Sequence, residues 1–209
     1  MSQGANHFHC PRSATSLAEA IAAFEGGQVV IGATRLPYKC PPSPIEFALR
    51  LDAQLRRRRL RKATRMRYVY PIAAVYPEPR IADWAERLMS ARGIEIVVPF
   101  AVESIDPAQR RVRSRTGAEL AYDLLVLVPP HSGAPFVRQC GLADASGWIP
   151  VDQHTLSAGD RIYSLGDAAG LPMPKTGSAA RLQAATVADN IVRELVGLPP
   201  APSYDGRLT

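Results

Sequence analysis

The 209 residues predict an α/β protein built around a parallel sheet. Three observations carry that expectation. Short, continuously apolar runs recur through the first 128 residues, amphipathic stretches at helical spacing alternate with them, and Gly or Pro punctuates the junctions. A run apolar at every position suits a strand covered on both faces, as a doubly wound sheet requires.

Residues 14–25 carry Leu17, Ile21 and Phe24 at helical spacing, and Gly26-Gly27 ends that helix. Gln28-Val29-Val30-Ile31-Gly32 reads as the first buried strand. The Pro-rich turn LPYKCPPSP leads to a second helix over residues 45–59, with Phe47, Leu51 and Leu55 on one face. Residues 66–69 read as a strand, 80–92 as a helix closed by Gly93, and 94–98 as a third strand. Segments 102–106, 110–114 and 119–122, separated by Asp106-Pro107 and Thr116-Gly117, predict a small antiparallel meander. Residues 124–128 (LLVLV) form a very apolar strand stopped by Pro129-Pro130.

A last unit follows, with a strand at 161–165, the turn Gly166-Asp167-Ala168-Ala169-Gly170, and a helix over 178–196. That helix groups Leu182, Ala185, Val192 and Leu195. The Pro- and Gly-rich tail, 199–209, reads as disordered or as a linker. The domain boundaries expected are 1–25 (N-terminal segment and connecting helix), 26–128, 129–198, and the tail.

Hydrophobic residues make up 46% and charged residues 21%, the balance of a globular protein. No stretch approaches the roughly 20 apolar residues of a membrane span, and residues 1–13 lack the apolar centre of a signal peptide. A cytoplasmic location is the expectation, with any contact at a membrane surface not encoded in these residues. Much of the net charge of +6 sits in Arg56-Arg57-Arg58-Arg59-Leu60-Arg61-Lys62. At the end of a periodic stretch this run reads as the solvated C-terminus of a helix, where cations favour the dipole. It has no interleaved aromatics and no zinc-finger or RNA-binding signature, so a nucleic-acid partner is not expected.

Cysteines 10, 40 and 140 are too few for a disulfide scaffold and miss the paired spacing of a structural zinc site. His7 and His9 flank Cys10 without the further ligands a metal needs; the segment reads as flexible, and no metal is expected. The turn after the first strand runs Ala33-Thr34-Arg35-Leu36-Pro37-Tyr38-Lys39-Cys40-Pro41-Pro42, with no G-x-G-x-x-G. Pro41, Pro42 and Pro44 offer no N–H to a pyrophosphate. The second strand also ends without an acid for a ribose hydroxyl, so NAD binding there is not expected.

Val29-Val30-Ile31-Gly32-Ala33, Tyr38-Lys39-Cys40-Pro41-Pro42-Ser43-Pro44 and Glu46-Phe47-Ala48 together resemble the redox-cysteine turn of the sulfide:quinone oxidoreductases and flavocytochrome c sulfide dehydrogenases. The resemblance implies that Cys40 and Cys10, 30 positions upstream and just before a helix, capture sulfide sulfur and pass electrons to FAD. Lys39 and Arg35 place cations near a sulfur whose reactive form is the thiolate. Cys140 matches no family cysteine and reads as structural.

Arg161-Ile162-Tyr163-Ser164-Leu165-Gly166-Asp167-Ala168-Ala169-Gly170 resembles the flavoprotein strand that ends in Gly-Asp, and Pro174-Lys175-Thr176-Gly177 the segment that approaches the isoalloxazine ring. Residues 124–130 and Trp148-Ile149-Pro150-Val151-Asp152 stand between in family order. Gly166 and Asp167 are then implied at the FAD ribityl chain, and Lys175 and Thr176 at the ring.

The resemblance makes 26–128 a Rossmann-like NAD-type domain and 129–198 the C-terminal part of a FAD-binding domain. Such flavoproteins open on a G-x-G-x-x-G unit and carry a later segment with a third cysteine, and neither is found here. The expectation is a chain truncated at both ends, whose incomplete FAD domain leaves apolar faces exposed and is completed by another chain or a homo-oligomer. Sulfide or another small reductant would be the donor, and a quinone or cytochrome the acceptor. Two alternatives stand beside this reading: an inactive remnant serving as an interaction module, and a flavin-free thiol sulfur carrier.

Overall fold

The computed structural model describes residues 4–206; the outermost residues of the expected N-terminal segment and tail lie outside them. In chain order the elements are α1 (Pro11–Ala23), β1 (Gly27–Ala33), α2 (Ser43–Arg57), β2 (Thr64–Val69), α3 (Pro79–Ala91) and β3 (Glu95–Val97). Then come β4 (Val102–Asp106), β5 (Arg111–Ser114), β6 (Glu119–Ala121), β7 (Leu124–Val128), α4 (Pro135–Gln139), β8 (Ser157–Gly159), β9 (Ile162–Tyr163) and α5 (Gly177–Leu195). They form two units. One comprises Met1–Leu36 with Pro42–Pro130, the other Pro37–Pro41 with His131–Thr209.

In the first unit a four-stranded parallel sheet has the order β3-β2-β1-β7. β1 lies inside it, and Val29, Val30, Ile31 and Ala33 are wholly buried, which is why the run is apolar at every position. Gly32 is required by strand spacing, since a Cβ there would stand 1.9 Å from the Val69 carbonyl oxygen. The meander β4-β5-β6 forms as expected, and Phe100, Val102, Val112 and Tyr122 pack with Val30, Val69, Leu125 and Leu127 of the parallel sheet. The segment before α1, expected to be flexible, is clamped on β7. Asn6 N–H donates to Leu125 O at 2.9 Å, and Leu127 N–H donates to Asn6 O at 3.0 Å.

The basic run also departs from expectation, because three of its arginines turn inward. Asp52, wholly buried on α2, accepts hydrogen bonds from Arg61 Nε (2.6 Å), Arg56 Nε (2.9 Å) and Arg92 Nη1 (3.3 Å). Arg58 donates to the carbonyls of Ile21, Ala22 and Phe24 at the end of α1. Arg61 also reaches the carbonyls of Thr64, Arg92 and Gly93. The charge excess is thus spent largely on tying helix ends and strand starts together.

The second unit is built differently. Of the strand expected at 161–165, only Ile162–Tyr163 pairs, in an antiparallel hairpin with Ser157–Gly159. Among the described residues it has no parallel neighbour to extend the ladder, and Ser164 N–H turns instead to Leu156 O. α5 buries Ala179, Gln183, Thr186, Val187 and Asn190, not the face containing Ala185, Val192 and Leu195. The polar side chains face inward because loops of the same unit present partners there. Asn190 Nδ2 donates to Thr155 O and Ala201 O, and its Oδ1 accepts from Ala201 N–H. Val192 and Leu195 are 59% and 80% exposed, alongside Ile191, Val196 and Leu198. An exposed apolar face was expected on this unit, and here it is. Residues 199–206, read from sequence as disordered or a linker, instead lie against the unit, with Tyr204 packed on Leu156 and Val187.

Burial raises the Asp52 pKa, but the hydrogen bonds and charges of Arg56 and Arg61 outweigh it and hold the carboxyl below the usual range. A depressed folded pKa gives stability that is complete above the unfolded value of about 3.9 and lost as pH falls through the folded value. Asp52→Asn should therefore lower unfolding stability by about 3 kcal/mol at pH 7. In urea titrations the deficit should shrink below about pH 4.

Candidate functional site

Cys10 occupies the N-cap of α1 in extended backbone (φ −146°, ψ 156°), and its thiol is exposed. Sγ lies 3.2 Å from Ser13 Oγ. The hydrogen bonds of Ser13, first from the hydroxyl and then from the backbone N–H, lower the thiol pKa, and the Arg12 charge adds to them. This is the setting of a reactive cysteine at a helix N-terminus.

Cys40 is exposed as well, in the short segment Pro37–Pro41 that belongs to the second unit. Three backbone features fix it. Cys40 has φ +56° in the left-handed region. Its N–H donates to Lys175 O at 2.8 Å, and Lys39 and Lys175 form a parallel β-bridge. Lys39 N–H donates to His131 Nδ1 at 2.6 Å. Tyr38, buried, closes the turn by donating its hydroxyl proton to Pro41 O. The turn at Cys40 and the Pro-Lys-Thr-Gly segment are therefore side by side in one unit.

The Gly-Asp motif forms a turn of 3-10 helix, Gly166–Ala168, with Gly166 at φ +63°. Gly166 N–H donates to Gln183 Oε1 at 2.7 Å, and Gln183 is 2% exposed. Met173 Sδ accepts from Gln183 Nε2 and Tyr204 O–H, so the turn rests on a buried polar cluster. Asp167 stays exposed, and its carboxylate lies 3.3 Å from Lys39 Nζ. Thr176 caps α5, its Oγ1 accepting from Ala179 N–H. Lys175 is buried: Nζ donates to Ala169 O at 2.5 Å and lies 4.5 Å from the Trp148 ring centroid. Burial lowers its pKa, while the charges of Asp167 and Asp144 oppose the shift.

Of the residues singled out in the sequence, Cys40, Gly166, Asp167, Lys175 and Thr176 lie in the second unit and Cys10 in the first. Sequence reading missed His131 and Gln183. A lone histidine after two prolines and a glutamine in a helix carry no periodic signal, and only the tertiary fold gives them partners. Cys140, expected to be structural, is exposed at the C-cap of α4. Where the strand order reverses beside β1, Ala5, His7, Thr34, Leu127, Pro129 and Pro130 line an open, mainly apolar cleft of about 370 Å³. Among the described residues, no helix is long and apolar enough to cross a membrane.

No family model matches the chain. It is 27% identical over 174 residues to the mitochondrial sulfide:quinone oxidoreductase of Dictyostelium discoideum, an alignment covering 80% of this chain and 38% of that protein. It superposes on the sulfide:quinone oxidoreductase of Aquifex aeolicus with a TM-score of 0.80 and 23% identity, covering 95% of this chain and 52% of the other. A NAD-dependent persulfide reductase from A. fulgidus follows at a TM-score of 0.64 and 20% identity, with 95% and 37% covered. The chain thus spans about half, or less, of the length of the proteins it matches. In sequence it is similar to the sulfide:quinone oxidoreductases, and its fold is the Rossmann-type α/β fold that these solved structures share.

Proposed function

We propose that the chain is part of a flavin-dependent oxidoreductase of the sulfide:quinone type, in which Cys10 and Cys40 handle sulfur and FAD takes the electrons. The observation that carries this reading is the backbone pairing of the Cys40 turn with Lys175. It sets a sulfur nucleophile beside the segment that, by resemblance, meets a flavin ring.

The residues present fit the ribityl and ring end of a flavin. Asp167 offers an exposed carboxylate on a rigid turn, and Thr176 opens a 19-residue helix whose N-terminus favours negative charge. Lys175 keeps a cation close to that end without giving it to water. None of the 209 residues forms a G-x-G-x-x-G loop. In this reading the pyrophosphate end of the flavin is held by polypeptide outside these 209 residues. When bound, the flavin accepts two electrons.

Both cysteines are free and exposed thiols; the proposed reaction would start from an oxidised form in which their sulfurs are held in a disulfide. Hydrosulfide attacks one sulfur, the S–S bond breaks, and a persulfide forms as the other cysteine leaves as thiolate. Ser13 and Arg12 suit Cys10 to the thiolate role. A thiol or sulfide acceptor then attacks the outer sulfur of the persulfide, and its S–S bond breaks to release the second cysteine as thiolate. The disulfide would re-form with the loss of two electrons, for which a bound flavin would be the acceptor. A quinone or cytochrome finally drains the electrons.

With the FAD site completed by the polypeptide that supplies the pyrophosphate grip, a flavin spectrum retained after removal of free cofactor is expected, bleached by sulfide. Cys40→Ser should abolish the bleaching while leaving flavin retention intact; bleaching at the normal rate in that variant would remove Cys40 from the reaction. In a separate measurement, the midpoint of the pH–rate profile for Cys10 alkylation should lie below about 8.5, the ordinary thiol value. Ser13→Ala should move that midpoint upward.

A further inference from the structure

Lys39 is held by its backbone on two sides, through its N–H to His131 Nδ1 and through its bridge to Lys175, while its side chain is 41% exposed. That side chain supplies the single cation of the segment Pro37–Pro41 and is the immediate neighbour of Cys40. Its ammonium is turned to the Asp167 carboxylate at 3.3 Å. The other charged groups nearby are already placed: the Lys175 ammonium is buried on Ala169 O and Trp148, and Asp144 is tied to Ser146. Asp167 therefore holds the ammonium of the residue adjacent in sequence to Cys40.

We infer that Lys39 is a positioning residue for the Cys40 sulfur, kept off it by the ion pair with Asp167 and released to it when Asp167 is neutralised or engages a hydroxyl-bearing ligand. The ligand half of this inference rests on the flavin reading above; the ion-pair half does not. An exposed ion pair between flexible side chains is weak and yields readily. A ligand hydroxyl donating to the carboxylate as water is excluded makes a stronger, charge-assisted bond. Occupying Asp167 thus hands Lys39 to the adjacent thiolate, so that the sulfur becomes most nucleophilic when its electron acceptor is in place.

The test uses the chain alone and needs no flavin, so its failure is distinct from failure of the flavin reading. Alkylation by iodoacetamide at pH 7 and low salt is followed at each cysteine by peptide mass spectrometry. Asp167→Asn should raise the Cys40 rate about two- to five-fold, with the Cys10 and Cys140 rates unchanged as internal controls against loosening of the fold. In a Lys39→Gln background the same substitution should have an effect close to none, whereas Lys39→Arg should preserve it. An unchanged Cys40 rate in Asp167→Asn overturns the inference. So does an acceleration that survives in Lys39→Gln, because Asp167 would then act through its own charge.

Discussion

The hydrogen bond from Cys40 N–H to Lys175 O is the constraint on which the candidate site depends. It joins a turn that leaves the first sheet strand to a segment far along the chain, just ahead of α5. The left-handed backbone at Cys40 and the bridge at Lys39 follow from the same pairing. A thiol on a free loop would sample many positions, and ordering it at the moment of reaction would cost conformational entropy. Pairing its backbone meets that cost during folding, leaving only side-chain motion to be controlled.

What controls the side chains is charge kept in local pairs. Lys175 gives up hydration for one carbonyl and an aromatic face, Lys39 pairs with the Asp167 carboxylate in contact with solvent, and Gly166 is fixed by a buried glutamine. These contacts differ in strength. The buried ones persist because breaking them strands a polar group away from water. The Lys39–Asp167 pair, open to solvent, is the one that can rearrange at little cost. The site is therefore rigid in its backbone and adjustable at a single ion pair.

The parallel sheet was legible in the sequence because burial on both faces of β1 and β7 leaves a fully apolar run. The meander was legible through its turns. The second unit was less so, and α5 shows why. Helical periodicity groups the apolar residues but does not mark Gln183, Thr186 and Asn190, which face inward because loop backbones there need hydrogen-bond partners. Composition says nothing about where unpaired carbonyls will lie. The tail was misread for the same reason, since Ala201 and Tyr204 are ordered by partners on α5 and at His154. The basic run was assigned to a helix end correctly, but its inward turn needed Asp52, whose burial periodicity does not announce. Among site residues, the motifs named Cys40, Asp167 and Lys175, but the ion pair between Lys39 and Asp167 is a tertiary fact with no local signature.

The two cysteines illustrate how one chemistry can be prepared in two ways. Cys10 owes its lowered pKa to the hydrogen bonds of Ser13 and the charge of Arg12, both fixed in the first turn of α1. That preparation is constant and would hold whether or not any cofactor is present. Cys40 has a cation as its chain neighbour, but the ammonium is engaged elsewhere, so its preparation depends on what Asp167 is doing. A permanently activated sulfur at both positions would invite oxidation in the absence of an electron acceptor. On the proposed reading, making one of the two conditional on a carboxylate that also suits a flavin hydroxyl would tie sulfur reactivity to the presence of the proposed electron acceptor.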